Sequence, residues 1–128
     1  MKTKIIQLFG GPCSGKSTLA AGLFYELKKA GYEAELVTEH AKEWAWEGRA
    51  IGKYDQVALI SEQIKRQARL HGKVEYIVTD SPIRLCPIYE IKLFNTGLTF
   101  RLCDQYYYTA ETDGVKFLNF VLPKPTHF

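Results

Sequence analysis

The sequence predicts an α/β domain built on a parallel sheet of about four strands, with helices on both faces. Short apolar or alternating runs, each the length of a strand, recur along the 128 residues. Segments with helical spacing of apolar residues separate these runs. This alternation favours a parallel sheet, because each helix carries the chain back to the edge where the next strand begins. The length predicts a single domain over residues 1–128.

The composition is that of an ordinary globular protein. The chain is 46% hydrophobic and 24% charged, and its net charge of +3 suits an anionic ligand without requiring nucleic acid. No apolar run approaches the roughly 20 residues of a membrane span, so no membrane partner is expected. The three cysteines, Cys13, Cys86 and Cys103, share no metal-ligand spacing, which favours a reducing cytoplasm.

The first predicted strand, Lys4 to Phe9, leads into a glycine-rich loop and then into a helix over Lys16 to Ala30. The stretch GGPCSGKSTL fills the phosphate-loop pattern G-x-x-x-x-G-K-[S/T]. Its glycines let successive N–H groups point inward, the lysine adds a mobile charge, and the following hydroxyl can ligate Mg²⁺. The helix N-terminus adds its dipole. The residues predicted to bind the phosphates are Gly10, Gly11, Pro12, Cys13, Ser14, Gly15, Lys16, Ser17 and Thr18.

The second predicted strand, Glu33 to Thr38, is followed by Glu39 and by a short helix that Gly48 ends. A basic loop then leads to a long amphipathic helix over Tyr54 to His71. The apolar residues predicted on one face of that helix are Val57, Ile60, Ile64 and Ala68, and the basic residues on the other are Lys65, Arg66 and Arg69.

The third predicted strand, Val74 to Thr79, ends at Asp80. An acidic residue at this place, downstream of a phosphate loop, is typical of the aspartate that orients Mg²⁺. Asp80 as the N-cap of the next helix is the alternative. Two further helices follow, over 84–94 and 98–110, and a fourth strand covers 115–122.

The carboxyl ends of parallel strands meet at one edge of a sheet, where ligands bind. The phosphate loop, Glu39 and Asp80 all follow strands, so the sequence predicts that they share one crevice. ATP with Mg²⁺ is the predicted ligand, with Ser17 and Asp80 as the metal-binding residues.

Three motifs, FGGPCSGKSTL, TEHAKEW and TDSP, give the chain a resemblance to a known family. It resembles the small phosphate-loop kinases related to the nicotinamide-ribonucleotide kinase domain, and is most similar to the AAA-like ATP-binding proteins of bacteriophages. The resemblance implies a strand order of 2-3-1-4 and, for a phage protein, the host cytoplasm. In the second motif His40 replaces an aromatic residue and Lys42 an arginine. Family members generally continue past the fourth strand, so we expect a shortened member or a minimal sheet.

The resemblance implies phosphoryl transfer to a small nucleoside- or nucleotide-like acceptor. Lys16 would then bind the phosphates, and Asp80 would hold the metal. Glu39 would take the proton of the acceptor hydroxyl, as a glutamate at the end of strand two does in deoxynucleoside kinases; a surface residue that caps the following helix is the alternative. Candidate clamps for the transferred group are Arg49, Arg84 and Arg101, although each alone is more often a solvated surface charge.

Two other functions remain open from the sequence. A DNA-directed kinase acting on hydroxymethyl-pyrimidine bases would need a broad basic stripe, and the helix over 54–71 offers a modest one. A nucleotide switch or regulatory ATPase would have no small acceptor. A GTPase is disfavoured, because the sequence contains no N-K-x-D motif.

Overall fold

A computed structural model of the chain describes residues 1–11 and 14–123. The predicted strands and helices are all present within these ranges, and their ends lie within three residues of the predicted ones. The elements are β1 (Lys4–Phe9), α1 (Lys16–Lys29), β2 (Ala34–Val37), α2 (Ala41–Trp46), α3 (Asp55–Ala68), β3 (Tyr76–Thr79), α4 (Leu85–Phe94), α5 (Phe100–Thr112) and β4 (Lys116–Val121). Within the described ranges, no helix combines the length and the apolar character needed to cross a membrane.

The four strands form one parallel sheet in the order β2-β3-β1-β4. This confirms the predicted fold class and strand order. In the register Ile5 lies beside Ile77 of β3 and Phe117 of β4, so β1 is one of the two inner strands of the sheet. Because β1 leads directly into the phosphate loop, the loop emerges from the middle of the sheet edge.

Helices cover both faces of the sheet, and each face has its own apolar core. Ile6, Leu8 and Val78 pack against Ala20 of α1 on one face. On the other face, a second buried cluster joins the sheet to α3 and α5. Its buried members are Ile5, Val37, Ile60, Ile77, Ile83, Cys103, Tyr106, Ala110 and Val115. Successive residues of a strand point to opposite faces of the sheet, so each short apolar strand contributes side chains to both cores.

The buried face of α3 differs from the predicted one. Ile60 is buried and Ile64 packs against the core as expected, but Val57 is 45% exposed. Three glutamines of the same helix, Gln56, Gln63 and Gln67, are buried instead. The prediction was wrong here because it counted glutamine as a surface residue, whereas an amide is readily buried when it finds polar partners. Gln67 donates to the hydroxyl of Tyr106 in α5.

A buried carboxylate organises the turn between α4 and α5. Glu90 is fully buried and accepts hydrogen bonds from the backbone N–H groups of Leu98 and Thr99 and from the hydroxyls of Thr96 and Thr99, at 2.8–3.0 Å. Burial raises the pKa of this carboxyl, but the hydrogen bonds outweigh it and leave the pKa below its usual value. The N-terminus of α5 is therefore tied to α4 by a single ionised side chain.

Candidate functional site

Two glycines of the phosphate loop disfavour substitution, Gly15 through its backbone conformation and Gly10 through a close neighbour. Gly15 has φ of +84°, a left-handed conformation that other residues adopt at a cost. At Gly10, an added Cβ would lie 2.6 Å from Oγ of Ser14. Pro12 and Cys13, which the sequence assigns to the same loop, lie outside the described residues. Both glycine requirements are those of a loop that turns sharply from β1 into α1.

Ser17 and Asp80 come together across the sheet edge. The Ser17 hydroxyl, in the first turn of α1, donates to Oδ2 of Asp80 at 2.8 Å. Asp80 follows β3 and is only 5% exposed. It does not cap α4, which begins at Leu85 without a side-chain cap. The two residues predicted to bind the metal are thus direct neighbours.

Their environment fits a hard cation such as Mg²⁺. Oδ1 of Asp80 is buried and has no hydrogen-bond partner among the described residues, and a buried carboxylate oxygen without a partner is costly. The hydroxyl and carboxylate oxygens of Ser17 and Asp80 are the ligand types that Mg²⁺ uses, together with phosphate oxygens and water. This pair would hold Mg²⁺, and the ion would supply charge neutralisation on the phosphates.

Lys42 is a further member of this group of side chains. It lies in the first turn of α2, and its Nζ donates to Oγ of Ser17 at 2.9 Å. The same Nζ lies 3.4 Å from Oδ2 of Asp80. The sequence motif indicated a basic residue at this position but gave no sign that it would contact the predicted metal-binding pair, because that contact depends on how α2 packs.

Glu39 is half-buried at the end of β2, and Gln63 of α3 fixes the backbone on both sides of it. The Gln63 side chain accepts the N–H of His40 at 2.9 Å and donates to the carbonyl of Thr38 at 3.0 Å. Gln63 itself is only 2% exposed. A buried amide with both ends engaged has little freedom, so it fixes the backbone that carries Glu39 relative to α3.

A single cavity of about 570 Å³ connects the phosphate loop to Glu39. One end is formed by loop residues, and the opposite wall by side chains of α3, α4 and the loop before α3. The lining residues are Gly11, Ser14, Gly15, Lys16, Ser17, Thr18, Glu39, Ala41, Lys42, Ile51, Gln56, Leu59, Gln63, Ser81, Leu85, Cys86, Tyr89 and Leu93. Its size is that of a small-molecule site.

The wall opposite the loop is apolar and largely uncharged. Burial raises the pKa of Cys86 to about 12, with smaller contributions from Cys103 and Glu39. Burial, with a smaller contribution from Glu39, also raises the pKa of Tyr89. Both groups are therefore neutral at pH 7. Among the described lining residues, Glu39 is the acidic one.

A charged network joins α2 to α3 beside the site. Arg66 donates to Oε1 of Glu43 at 2.7 Å and contacts Glu62 at 3.4 Å. The ring of His40 lies 3.0 Å from Oε2 of Glu43. The hydrogen bond from Arg66 lowers the pKa of Glu43, and burial opposes this shift only in part. The ion pair between Glu62 and Arg66 was expected from their i,i+4 spacing, whereas the link to Glu43 was not.

The three candidate arginines lie away from the described lining of the cavity. Arg84 pairs with Asp104 of α5 and stacks over the ring of Tyr107 at 4.8 Å. Arg101 is exposed in the first turn of α5. Arg49 lies 3.7 Å from the ring centre of Trp44. Their proposed contact with a transferred group stays a prediction.

Sequence reasoning missed the polar side chains that α3 contributes to the cavity. Gln56 and Gln63 lie seven residues apart and line it together with Leu59. The signal was present, because this spacing puts both glutamines on the face that carries Ile60. Glutamines repeated on the apolar face of a helix indicate that buried polar groups there need hydrogen-bond partners.

No protein-family model matches the chain, and no curated protein matches it at a significant level. Solved structures do. The chain aligns with APS kinase CysC from Mycobacterium tuberculosis at a TM-score of 0.62 and 14% identity, covering 98% of this chain and 82% of that one. It aligns with thymidylate kinase from Ehrlichia chaffeensis at a TM-score of 0.64 and 13% identity, covering 99% and 91%. The fold is that of the phosphate-loop kinases.

A third solved structure, of a protein described as APE1195, has a TM-score of 0.64 and 20% identity. The match covers 96% of this chain but only 62% of that protein, so the chain spans less than two thirds of its length. Identities this low bear on the fold alone. The specific resemblance to the phage ATP-binding proteins therefore stays a prediction from the motifs.

Proposed function

We propose that the protein is an ATP-dependent phosphotransferase that acts on a hydroxyl or phosphate of a small nucleoside- or nucleotide-like acceptor. One observation carries the proposal: the phosphate loop and Glu39 line the same cavity. A donor triphosphate on the loop and an acceptor against α3 and α4 would then face each other. Such transfer depends chiefly on positioning and charge neutralisation, which a shared cavity provides.

In this proposal each side chain has a separate task. Lys16 and the loop amides bind the outer phosphates, and Ser17 and Asp80 hold Mg²⁺ beside them. Thr18 lies next to Ser17 and lines the same end of the cavity, where it is in place for the α-phosphate. Glu39 accepts the proton of the acceptor hydroxyl, and its backbone is fixed by Gln63. A positioned general base contributes about 100-fold or more to the rate.

The test begins with the acceptor. A thermal-shift screen of nucleosides, nucleotides and nicotinamide ribosides, with an Mg–ATP analogue present, identifies compounds that bind the loaded protein. ADP release is then measured with each compound that binds. An acceptor-dependent release of ADP supports the proposal, whereas steady ATP hydrolysis that none of the compounds changes would favour a nucleotide switch.

Glu39→Gln then tests the assignment of the base. We expect kcat to fall by about 100-fold or more, with ATP affinity unchanged, because residue 39 faces the acceptor side of the cavity. Glu35→Gln is a matched control, since Glu35 is an exposed residue of the same strand β2. Unchanged turnover of Glu39→Gln with the identified acceptor would remove Glu39 from the mechanism.

The charge distribution of α3 favours a small acceptor over DNA. Arg66, in the middle of the basic run, is engaged by Glu43 and Glu62. Non-specific DNA binding depends on several basic groups that are free to neutralise phosphates. A gel-shift experiment at low salt with duplex DNA separates these functions, because a small-molecule kinase should show no retained complex.

A further inference from the structure

The predicted metal-binding pair already has a cationic partner within this chain. Lys42 donates to the Ser17 hydroxyl at 2.9 Å, and its Nζ lies 3.4 Å from the Asp80 carboxylate. The Ser17 hydroxyl in turn donates its proton to Oδ2 of Asp80. The three side chains therefore form a closed triangle, in which one ammonium lies beside both of the side chains that would hold Mg²⁺.

Within the triangle, Lys42 provides the counter-charge for the buried carboxylate of Asp80. Asp80 is 5% exposed, whereas Lys42 is 40% exposed. A buried carboxylate without a counter-charge is strongly disfavoured, and the ammonium supplies that charge. Because Lys42 is exposed and flexible, it can leave the pair at little cost in packing.

Mg²⁺ and the Lys42 ammonium require the same groups. A serine hydroxyl has one proton and two lone pairs; here the proton is donated to Asp80 and Lys42 donates to the oxygen. Two cations held by the same hydroxyl and the same carboxylate group repel each other at contact distance. Binding of the metal must therefore be accompanied by withdrawal of the ammonium.

We propose that Lys42 occupies the metal site before the metal does: its ammonium neutralises Asp80 beside Ser17 and is exchanged for Mg²⁺ when the nucleotide binds. The exchange releases the ammonium into the cavity that Lys42 also lines. Since Lys42 belongs to α2, metal loading is coupled to the helix that directly follows Glu39. This proposal rests on the metal site of the proposed function.

Divalent-metal titration tests the competition without any acceptor. Mn²⁺ serves as the probe, and its binding to the full chain is measured by electron paramagnetic resonance with ADP present at a fixed concentration. Lys42→Met removes the competing ammonium and should tighten Mn²⁺ binding by about fivefold, the scale of one partly exposed ion pair. Lys65→Met is the matched control for net charge, because Lys65 is exposed on α3, and it should leave Mn²⁺ affinity within twofold.

The tryptophans of α2 give a second readout. Trp44 and Trp46 lie two and four residues after Lys42 in the same helix. Addition of Mg²⁺ with ADP should change their fluorescence in the unmodified protein, and this change should be smaller in Lys42→Met, where no contact has to break.

Asp80→Asn distinguishes failure of this inference from failure of the metal site. If Asp80→Asn binds Mn²⁺ with ADP as well as the unmodified protein does, the metal site assigned to Ser17 and Asp80 is wrong, and the exchange proposal falls with it. If Asp80→Asn weakens Mn²⁺ binding but Lys42→Met fails to tighten it, only the exchange by Lys42 is overturned.

Discussion

At the scale of single residues, Gly15 imposes the strictest backbone requirement on the phosphate loop. Gly15 directly precedes Lys16 and has a φ of +84°. Its carbonyl accepts a hydrogen bond from the N–H of Leu19 in the first turn of α1. A Cβ at this position meets open space, so the cost of a substitution comes from the backbone conformation rather than from a clash. The requirement therefore concerns how the loop presents its N–H groups to a phosphate.

Gly15→Ala should lower the free energy of unfolding by about 1 kcal/mol or more and weaken nucleotide binding, because alanine disfavours a left-handed backbone. Gly22→Ala is the matched control. Gly22 lies inside helix α1, and a Cβ there also meets open space without a positive φ. This change should stabilise the protein by about 0.5–1 kcal/mol. Urea unfolding at pH 7 measures both, and shifts of the same sign would contradict the conformational argument.

At the scale of elements, α3 determines the position of the site as much as the strands do. Gln63 connects α3 to the end of β2, Arg66 connects it to α2, and Gln67 connects it to α5. The three polar side chains lie within five consecutive residues of α3. The helix therefore links the predicted base to the second core.

Gln63→Leu tests whether Gln63 fixes the segment between β2 and α2. The change leaves the His40 N–H and the Thr38 carbonyl without partners, at a cost of about 1–3 kcal/mol. Hydrogen exchange at the His40 amide should become faster, and kcat should fall with little change in ATP affinity. Gln67→Leu removes an equally buried glutamine of the same helix, and should reduce stability without changing exchange at His40. Equal exchange rates at His40 in the two variants would show that Gln63 does not hold this segment.

The turn between α4 and α5 gives a pH-dependent prediction. The pKa of Glu90 is lowered in the folded protein by its hydrogen bonds, against the opposing effect of burial. A lowered folded pKa means that the stabilisation is complete above the unfolded value of about 4.3 and is lost as the pH falls through the folded value.

Glu90→Gln should therefore reduce the free energy of unfolding by about 1.5–3 kcal/mol at pH 7, the scale of hydrogen bonds to a charged group. The deficit should shrink below about pH 4, because the unmodified protein loses its own contribution there. Denaturation from pH 7 to pH 3 measures this difference, with Glu26→Gln on the exposed face of α1 as control. A deficit that is independent of pH would rule out the ionised state of Glu90 as its source.

At the scale of the whole molecule, the sheet brings together groups that are distant in sequence. Ser17 and Asp80 are 63 residues apart and share a hydrogen bond of 2.8 Å. This contact follows from parallel topology, in which β1 and β3 are neighbours and end at the same edge. The meeting of these residues could therefore be predicted from the sequence, because each follows a strand of the predicted parallel sheet.

The phosphate loop, the four strands and the acidic residues that follow two of them could all be predicted from the sequence. These features are local: a glycine at a positive φ, or an apolar run of four to six residues, is specified by its own neighbours. Tertiary structure alone decided that Lys42 contacts Ser17 and Asp80, and that Gln63 brackets Glu39. Those contacts depend on the relative placement of α2 and α3 over the sheet, and that placement is set by the packing of both cores rather than by any single segment.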